Sequence, residues 1–407
     1  MEELNETGII APADWSTSEE IIKVMGVGGA GCNAVNNMYR KGIEGCSFVV
    51  CNTDAMSLRD SPIGTKIQMG QGLGAGTNPT IGRNAAMDAE QEIKNKIINS
   101  NTQMLFITAG MGGGTGTGAA PVIANMAKSA GILTIGVITL PFKNEGAKTL
   151  TRAIDGLKEM EANVDSLIVI DNQKLYEHYG SKLIHEAIPL ADEVLFTAVR
   201  GIIEIIQKPG YINVDFCDVR SMMKDSGMAL MGYGSGSGST RLQDAVDGAF
   251  KSPLLNNFDL RSARNVLVNV TVGHNDKGLT MDEMDELNRM IDDCTGGANN
   301  FKRGLIYDNS EEIGDQIHIT SIVTGLRFRD VVENNRDMGN YIFLSKDYTY
   351  DNQSEGSLAF PTEENNERFT PGEFKFESSE KPCLLVEDEE DYQLIKDLKD
   401  TTALRRK

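Results

Sequence analysis

Gly110-Met111-Gly112-Gly113-Gly114-Thr115-Gly116-Thr117-Gly118 separates an apolar run, Met104 to Thr108, from a helix-like stretch expected to begin near Ala119. A strand, a loop stripped of side chains and then a helix is an arrangement in which backbone N–H groups close on a phosphate at the positive helix end. A second cradle, Gly26-Val27-Gly28-Gly29-Ala30-Gly31-Cys32-Asn33, follows the run Ile21 to Val27 and precedes a helix expected from about Ala34 to Tyr39. A third loop, Gly70 to Pro79, is suited to cover a terminal phosphate. A triphosphate carries enough charge to explain why so many backbone donors converge. No GxxxxGK[ST] occurs, so this is not a P-loop.

Outward from these loops, Ile21–Val27, Ser47–Asn52, Met104–Thr108, Leu133–Thr139 and Ser166–Ile170 read as buried strands alternating with helical stretches such as Leu150–Ala162. That alternation predicts an α/β fold with a doubly wound, mostly parallel sheet, here a nucleotide-type domain over 21–191. From Asp192 to Gln207 apolar residues recur at helical spacing around most of the circumference, predicting a buried central helix (192–208) ended by Lys208-Pro209-Gly210. A loop over 209–220 leads into a smaller α+β domain over 221–330. In it Arg264–Val272 and Gln316–Thr324 alternate like strands, and Thr280-x-x-Glu283 is a capping box before a helix ending near Cys294.

The whole chain, 407 residues with 42 glycines, is long enough for two to three domains. Residues 1–20 read as a flexible polar leader. From Val331 onward 18 acidic and 10 basic residues accompany few aliphatic clusters, so 331–390 reads as a disordered acidic linker. In 391–407, Tyr392, Leu394, Ile395 and Leu398 can form one amphipathic turn before a basic end, either a docking peptide or an unpartnered terminus. A net charge of −20 repels nucleic acid. The acidic start and the lack of a bilayer-length apolar run argue for a cytoplasmic protein without direct membrane insertion. Six scattered cysteines without a CxxC pair, and four histidines without HxxxH or HExxH, predict no protein-built metal site.

Asn213-Val214-Asp215-Phe216-Cys217-Asp218 places two carboxylates three residues apart where a helix can begin. They suit either the polarising of a water or simple helix capping. Read alone, Gly26 to Gly31, with Asn52 and Asp54 about twenty residues on, also meets the dinucleotide fingerprint. A Rossmann oxidoreductase would nevertheless leave the Gly110–Gly118 loop without a use.

The chain from about Ile21 to Leu326 resembles the tubulin/FtsZ GTPases. Gly112 to Gly118 is similar to the family's signature loop and Asn213-x-Asp215-x-x-Asp218 to its synergy loop; Gly28 to Asn33, Asn52-Thr53-Asp54, Gly72 to Gly76 and Ser252-Pro253-Leu254-Leu255 also match. The resemblance implies a GTP site formed by Gly28, Gly29, Ala30, Gly31, Cys32, Asn33, Asn52, Asp54, Gly112, Gly113, Gly114, Thr115 and Gly116. Glu145 would lie near the ribose, and Asn172 and Asp192 at the guanine. It further implies that Asp215, Asp218 and Asn213 complete the pocket of the next subunit in a head-to-tail filament of the division ring. Charge balance between a triphosphate and two carboxylates calls for Mg²⁺ at the phosphates. Membrane-tethering division proteins would bind the C-terminal peptide.

The sequence departs from the family pattern at three points near the nucleotide. Thr149 stands where Glu-Gly-x-x-Arg would place arginine, Asp171 where proline is usual before Asn172, and Ile188 where phenylalanine is usual. Thr401-Thr402 replaces the isoleucine-proline of the docking peptide. A structural paralogue with weak turnover is therefore the alternative within the same fold.

Overall fold

The computed structural model describes residues 21–98, 101–172, 184–208, 210–212, 214–251, 260, 263–274, 278–297, 300–308 and 313–326, and the backbone of four short strands beyond them. One ten-stranded sheet organises residues up to Leu326, in the order β3-β2-β1-β4-β5-β6-β7-β10-β8-β9. Its first six strands are β1 (Ile22–Val27), β2 (Ser47–Asn52), β3 (Thr65–Gln68), β4 (Met104–Gly110), β5 (Leu133–Leu140) and β6 (Ser166–Asp171). They pair in parallel. All eight residues of β5 are buried, as expected of a strand covered by helices on both faces. The sheet then continues without a break: β7 (Gly227–Gly236) joins β6 in parallel, Leu167 opposite Met228. β10 (Ile317–Leu326) runs antiparallel to β7 and to β8 (Asn265–Gly273), and β9 (Asn300–Asp308) closes the edge.

Helix α1 (Gly28–Arg40) follows β1, and α5 (Thr115–Ser129) follows β4. Both begin earlier than their glycines suggest. Intrinsic propensity disfavours glycine in a helix by about 1 kcal/mol per residue, yet here the glycines form the first turns because nothing larger fits beneath them. A Cβ on Gly31 would lie 2.1 Å from the Thr108 carbonyl, and one on Gly116 would lie 2.3 Å from that of Gly110. Short helices α2 (Ala55–Arg59), α3 (Pro79–Asp88) and α4 (Glu90–Ile93) line the β2–β4 connection, and α6 (Ala147–Asn163) links β5 to β6.

Helix α7 spans Ile184–Gln207, starting well before Asp192 with Pro189 inside its early turns. Leu195, Ala198, Val199, Ile202, Ile203 and Ile205 of α7 are buried in one cluster with β1, β4, β5 and α1. Each of the leucine, valine and isoleucine side chains among them contributes about 1.5–3 kcal/mol relative to exposure. Next in the chain comes α8 (Phe216–Met223), and α9 (Arg241–Phe250) packs beside β7. α10 (Met281–Thr295) starts at the expected capping box, the Thr280 hydroxyl oxygen accepting from the Glu283 N–H, and ends at Gly296 with φ 68°.

The leader 1–20, the segment Ser252 to Leu255, and 387–407 with the docking-peptide residues lie outside the described residues. Within 331–390 the described backbone forms two separate ladders. Tyr341–Leu344 pairs with Cys383–Val386 in parallel, and Thr349–Tyr350 pairs with Leu358–Ala359 antiparallel. The first ladder uses the short aliphatic and aromatic runs of an otherwise polar stretch.

Candidate nucleotide site

The sheet reverses its winding between β1 and β4: β2 and β3 lie to one side of β1, β4 and β5 to the other. A crevice opens at the carboxyl ends of strands at such a switch point. Here it is a cavity of about 320 Å³ lined by Gly29, Ala30, Gly76, Gly113, Gly114, Thr115, Gly116, Glu145 and Asn172, among others. The N-termini of both α1 and α5 open on it, and neither has a side-chain cap. An uncapped helix start presents unpaired N–H groups and the positive end of the macrodipole. Two of them aimed at one cavity make an anion site built from backbone.

The glycines divide by what surrounds them. Gly31 and Gly116 are packing glycines, as their close approaches to carbonyls require. Gly29 and Gly113 line the cavity, and a Cβ on either would meet nothing within 4 Å, so there the missing side chain leaves room for a ligand. Gly28 makes the turn at φ 73°. The Gly70–Pro79 loop reaches the site through the Gly76 carbonyl, which accepts from the Gly114 N–H at 2.9 Å.

Two buried oxygens have no partner among the described residues, Asn172 Oδ1 and Thr108 Oγ1. Such orphans are uncommon in a finished protein interior. Asn172 lines the cavity, where a ligand's N–H would satisfy it. Glu145 Oε1 accepts from the Phe142 N–H at 2.9 Å, holding that turn closed. Thr115 is tied to Thr53 by a buried hydroxyl–hydroxyl bond of 2.6 Å.

Far from this cavity, Asp215 and Asp218 form a reciprocal capping box at the start of α8. Asp215 Oδ1 accepts from the Asp218 N–H at 2.7 Å, and Asp218 Oδ2 accepts from the Asp215 N–H at 3.4 Å. The capping alternative is thus realised, but it uses one oxygen of each carboxylate. The other Asp218 oxygen receives Lys302 Nζ at 2.7 Å, and this hydrogen bond holds the Asp218 carboxyl below the usual carboxylate range. Asp215 is exposed.

Helix α5 measures the separation. At its far end Lys128 Nζ pairs with Asp225 at 3.0 Å, and beyond it the Gly131 carbonyl accepts from Arg220 of α8 at 3.0 Å. Its 15 residues at about 1.5 Å each put about 22 Å between the cradle and the end where α8, the helix that Asp215 caps, is held.

Residues 21–180 match the family described as "Tubulin/FtsZ family, GTPase domain", and 227–327 match "FtsZ family, C-terminal domain". The chain belongs to the tubulin/FtsZ family. It is 41% identical over 364 residues to the cell division protein FtsZ of Pseudomonas aeruginosa, covering 83% of this chain and 91% of that one. It is also 43% identical over 318 residues to the mitochondrial division protein fszA of Dictyostelium discoideum, covering 77% of this chain and 60% of that one. The solved structure "FtsZ dimer, empty" from M. jannaschii superposes with a TM-score of 0.68 at 37% identity, covering 78% of this chain and 91% of that one.

Of the residues the tubulin/FtsZ resemblance assigns to GTP, Gly29, Ala30, Gly113, Gly114, Thr115, Gly116, Glu145 and Asn172 line the cavity. Gly28, Gly31, Cys32, Asn33, Asn52, Asp54 and Gly112 are not among its lining residues. Cys32 turns its thiol inward toward the Gly26 and Cys51 carbonyls, and burial pushes it up to about 12. Only its backbone is left for a ligand. Asn52 is buried and accepts from the Asp54 N–H at 3.3 Å, while Asp54 caps α2 through the Met56 N–H at 2.9 Å. Asp192 belongs to α7, but its side chain, those of Asp171 and Ile188, and all of Asn213 lie outside the described residues.

Two neighbours of the candidate residues escaped sequence reasoning. Lys302 meets Asp218 because the 211–212 segment bonds to Leu305 of β9, a non-local pairing with no sequence signature. Arg152 reaches the signature loop, its Nε donating to the Gly112 carbonyl at 3.0 Å. Its i, i+3 spacing from Thr149 was the available signal.

Proposed function

We propose that this chain is a cell-division GTPase that assembles head to tail, the nucleotide in the cavity of one subunit being cleaved against Asp215 and Asp218 of the next. The single observation behind this reading is the length of α5, about 22 Å from the cradle to the end where the helix carrying the acidic pair is held. A carboxylate that far away cannot position water on its own subunit's phosphate. A second copy stacked along the same direction brings the two halves together, and a heterologous contact of this kind repeats into a filament.

In that arrangement the uncapped ends of α1 and α5 bind the phosphates, and Asn172 accepts from the guanine edge with Asp192. Glu145 borders the ribose. Asp215, assisted by Asn213, orients the attacking water, and Asp218 holds the start of α8 in register. Phosphoryl transfer needs mainly such positioning and charge stabilisation. Among the described residues no three His, Cys, Asp or Glu side chains gather as a metal cage. A Mg²⁺ ion fits this site only when carried by the phosphates themselves, where it would neutralise their charge.

The filament's place is the division ring in the cytoplasm, reached through tethering proteins that bind the C-terminal peptide. Among the described residues no helix is long and apolar enough to cross a membrane. Removal of 391–407 is expected to leave polymerisation intact and to abolish recruitment to membrane-bound partners. For the reaction itself, Asp215→Ala should bind GTP within about twofold of wild type while turnover falls at least about tenfold. Unchanged turnover at matched protein concentration would remove Asp215 from the mechanism.

A further inference from the structure

Arg152 sits in α6 one turn after Thr149 and is half-buried. Its Nε donates to the Gly112 carbonyl at 3.0 Å and its Nη2 to Thr149 Oγ1 at 3.2 Å. The Thr149 hydroxyl in turn donates to the Glu145 carbonyl at 3.1 Å. One guanidinium therefore ties together the two segments that carry Gly113 and Glu145 into the cavity wall.

Its partners set it apart from Arg83, Arg200 and Arg241, which pair with Glu159, Glu204 and Glu283. Among the described residues Arg152 bonds only to neutral oxygens, so its charge is not cancelled by a carboxylate. In a chain of net charge −20, an uncancelled half-buried cation beside an anion cradle is positioned for the anion. Peptide planarity adds a directional effect. In a trans peptide the C=O and the following N–H point opposite ways, so drawing the Gly112 carbonyl toward Arg152 turns the Gly113 N–H away from it. Gly113 lines the cavity and has open space around it.

We propose that Arg152 is a positioning residue of the triphosphate site, orienting the Gly113 N–H and supplying the positive charge behind it, one helical turn from position 149. This rests on the GTP reading above and assigns a residue that reading does not use. Thr149 then has its own part, relaying Arg152 to the Glu145 turn, and its Cγ2 packs so near Gly112 that a Cβ there would lie 2.7 Å away.

The test compares Arg152→Gln and Arg152→Lys in the full chain, with GTP and GMP affinities measured at protein concentrations too low for assembly. A charge-assisted contribution predicts that Arg152→Gln weakens GTP about tenfold and GMP less than about threefold. Arg152→Lys, keeping the charge but losing the two-point fork, should recover part of that loss and bind GTP at least about threefold tighter than Arg152→Gln. A GTP affinity for Arg152→Gln within twofold of wild type overturns the proposal. So does an equal loss for both nucleotides, or a lysine variant as weak as the glutamine one, since those are marks of a merely structural side chain. Should Arg152→Gln not fold, Arg152→Lys decides by the same comparison of nucleotides: a loss for GTP exceeding that for GMP supports the proposal, and an equal loss or none overturns it. Wild-type protein that bound neither nucleotide would remove the GTP reading and this proposal together, whereas normal wild-type binding with an unaffected Arg152→Gln removes Arg152 alone.

Discussion

The two ends of α5 are built from different materials. At its start the anion cradle is backbone, shaped by glycines whose missing side chains either permit contact between main chains or leave space for a ligand. At its far end the acidic site is side chain: Asp215, Asp218 and Lys302 on a capped helix and an edge strand. A backbone site is inseparable from the fold that makes it. A side-chain site can be altered with the fold left standing.

The largest effect should come from the packing glycines. Gly31→Val drives a side chain into the Thr108 carbonyl, 2.1 Å from the first added carbon. It is expected to cost at least about 3 kcal/mol, read as a thermal midpoint lower by roughly 5–10 °C. Gly113→Ala, at a position with open space, should leave that midpoint within about 2 °C while weakening GTP. Equal melting of the two variants would erase the division between packing and binding glycines.

Next in size is Asp215→Asn. Asparagine caps helices about as well as aspartate, so this substitution isolates the carboxylate charge from the cap. Turnover should fall at least about tenfold with no more than a small change in thermal midpoint, whereas Asp215→Ala should add a loss of about 1 kcal/mol in stability. A melting loss for Asn matching that for Ala would show that the acidic end too is structural.

The smallest effect concerns Lys302. Because the folded-state pKa of Asp218 is lowered by the Lys302 hydrogen bond, the pair contributes stability above the ordinary carboxylate pKa. That contribution is lost as pH falls through the lower folded value. Lys302→Gln should raise the Asp218 pKa toward the usual range, seen in a carbon-detected NMR titration, and slightly flatten the acid side of the stability profile. An unmoved Asp218 titration would show that Lys302 does not hold it.

What could be read from the sequence follows the same contrast. The strands β1, β2, β4, β5 and β6 fall within two residues of their expected ends, because continuous apolar runs bounded by glycine, asparagine or aspartate leave few alternatives. The starts of α1 and α5 were hidden because glycine's low propensity speaks locally, while the close approaches to β4 that force helical turns there are tertiary. Pro189 likewise hides the start of α7. At the site, the cradle was legible from glycine spacing alone, but which glycines face the cavity required the packing of α1 on β4. The missing arginine at position 149 was legible too; the arginine one turn later, reaching back to Gly112, was not.

An active centre divided between neighbouring molecules is best probed by phosphate release from GTP, followed across a wide range of protein concentrations. Release from dilute, monomeric chain is expected to be negligible, with a specific activity that climbs steeply above a threshold concentration. A rate per molecule that stayed constant down to strictly monomeric protein would contradict a divided centre.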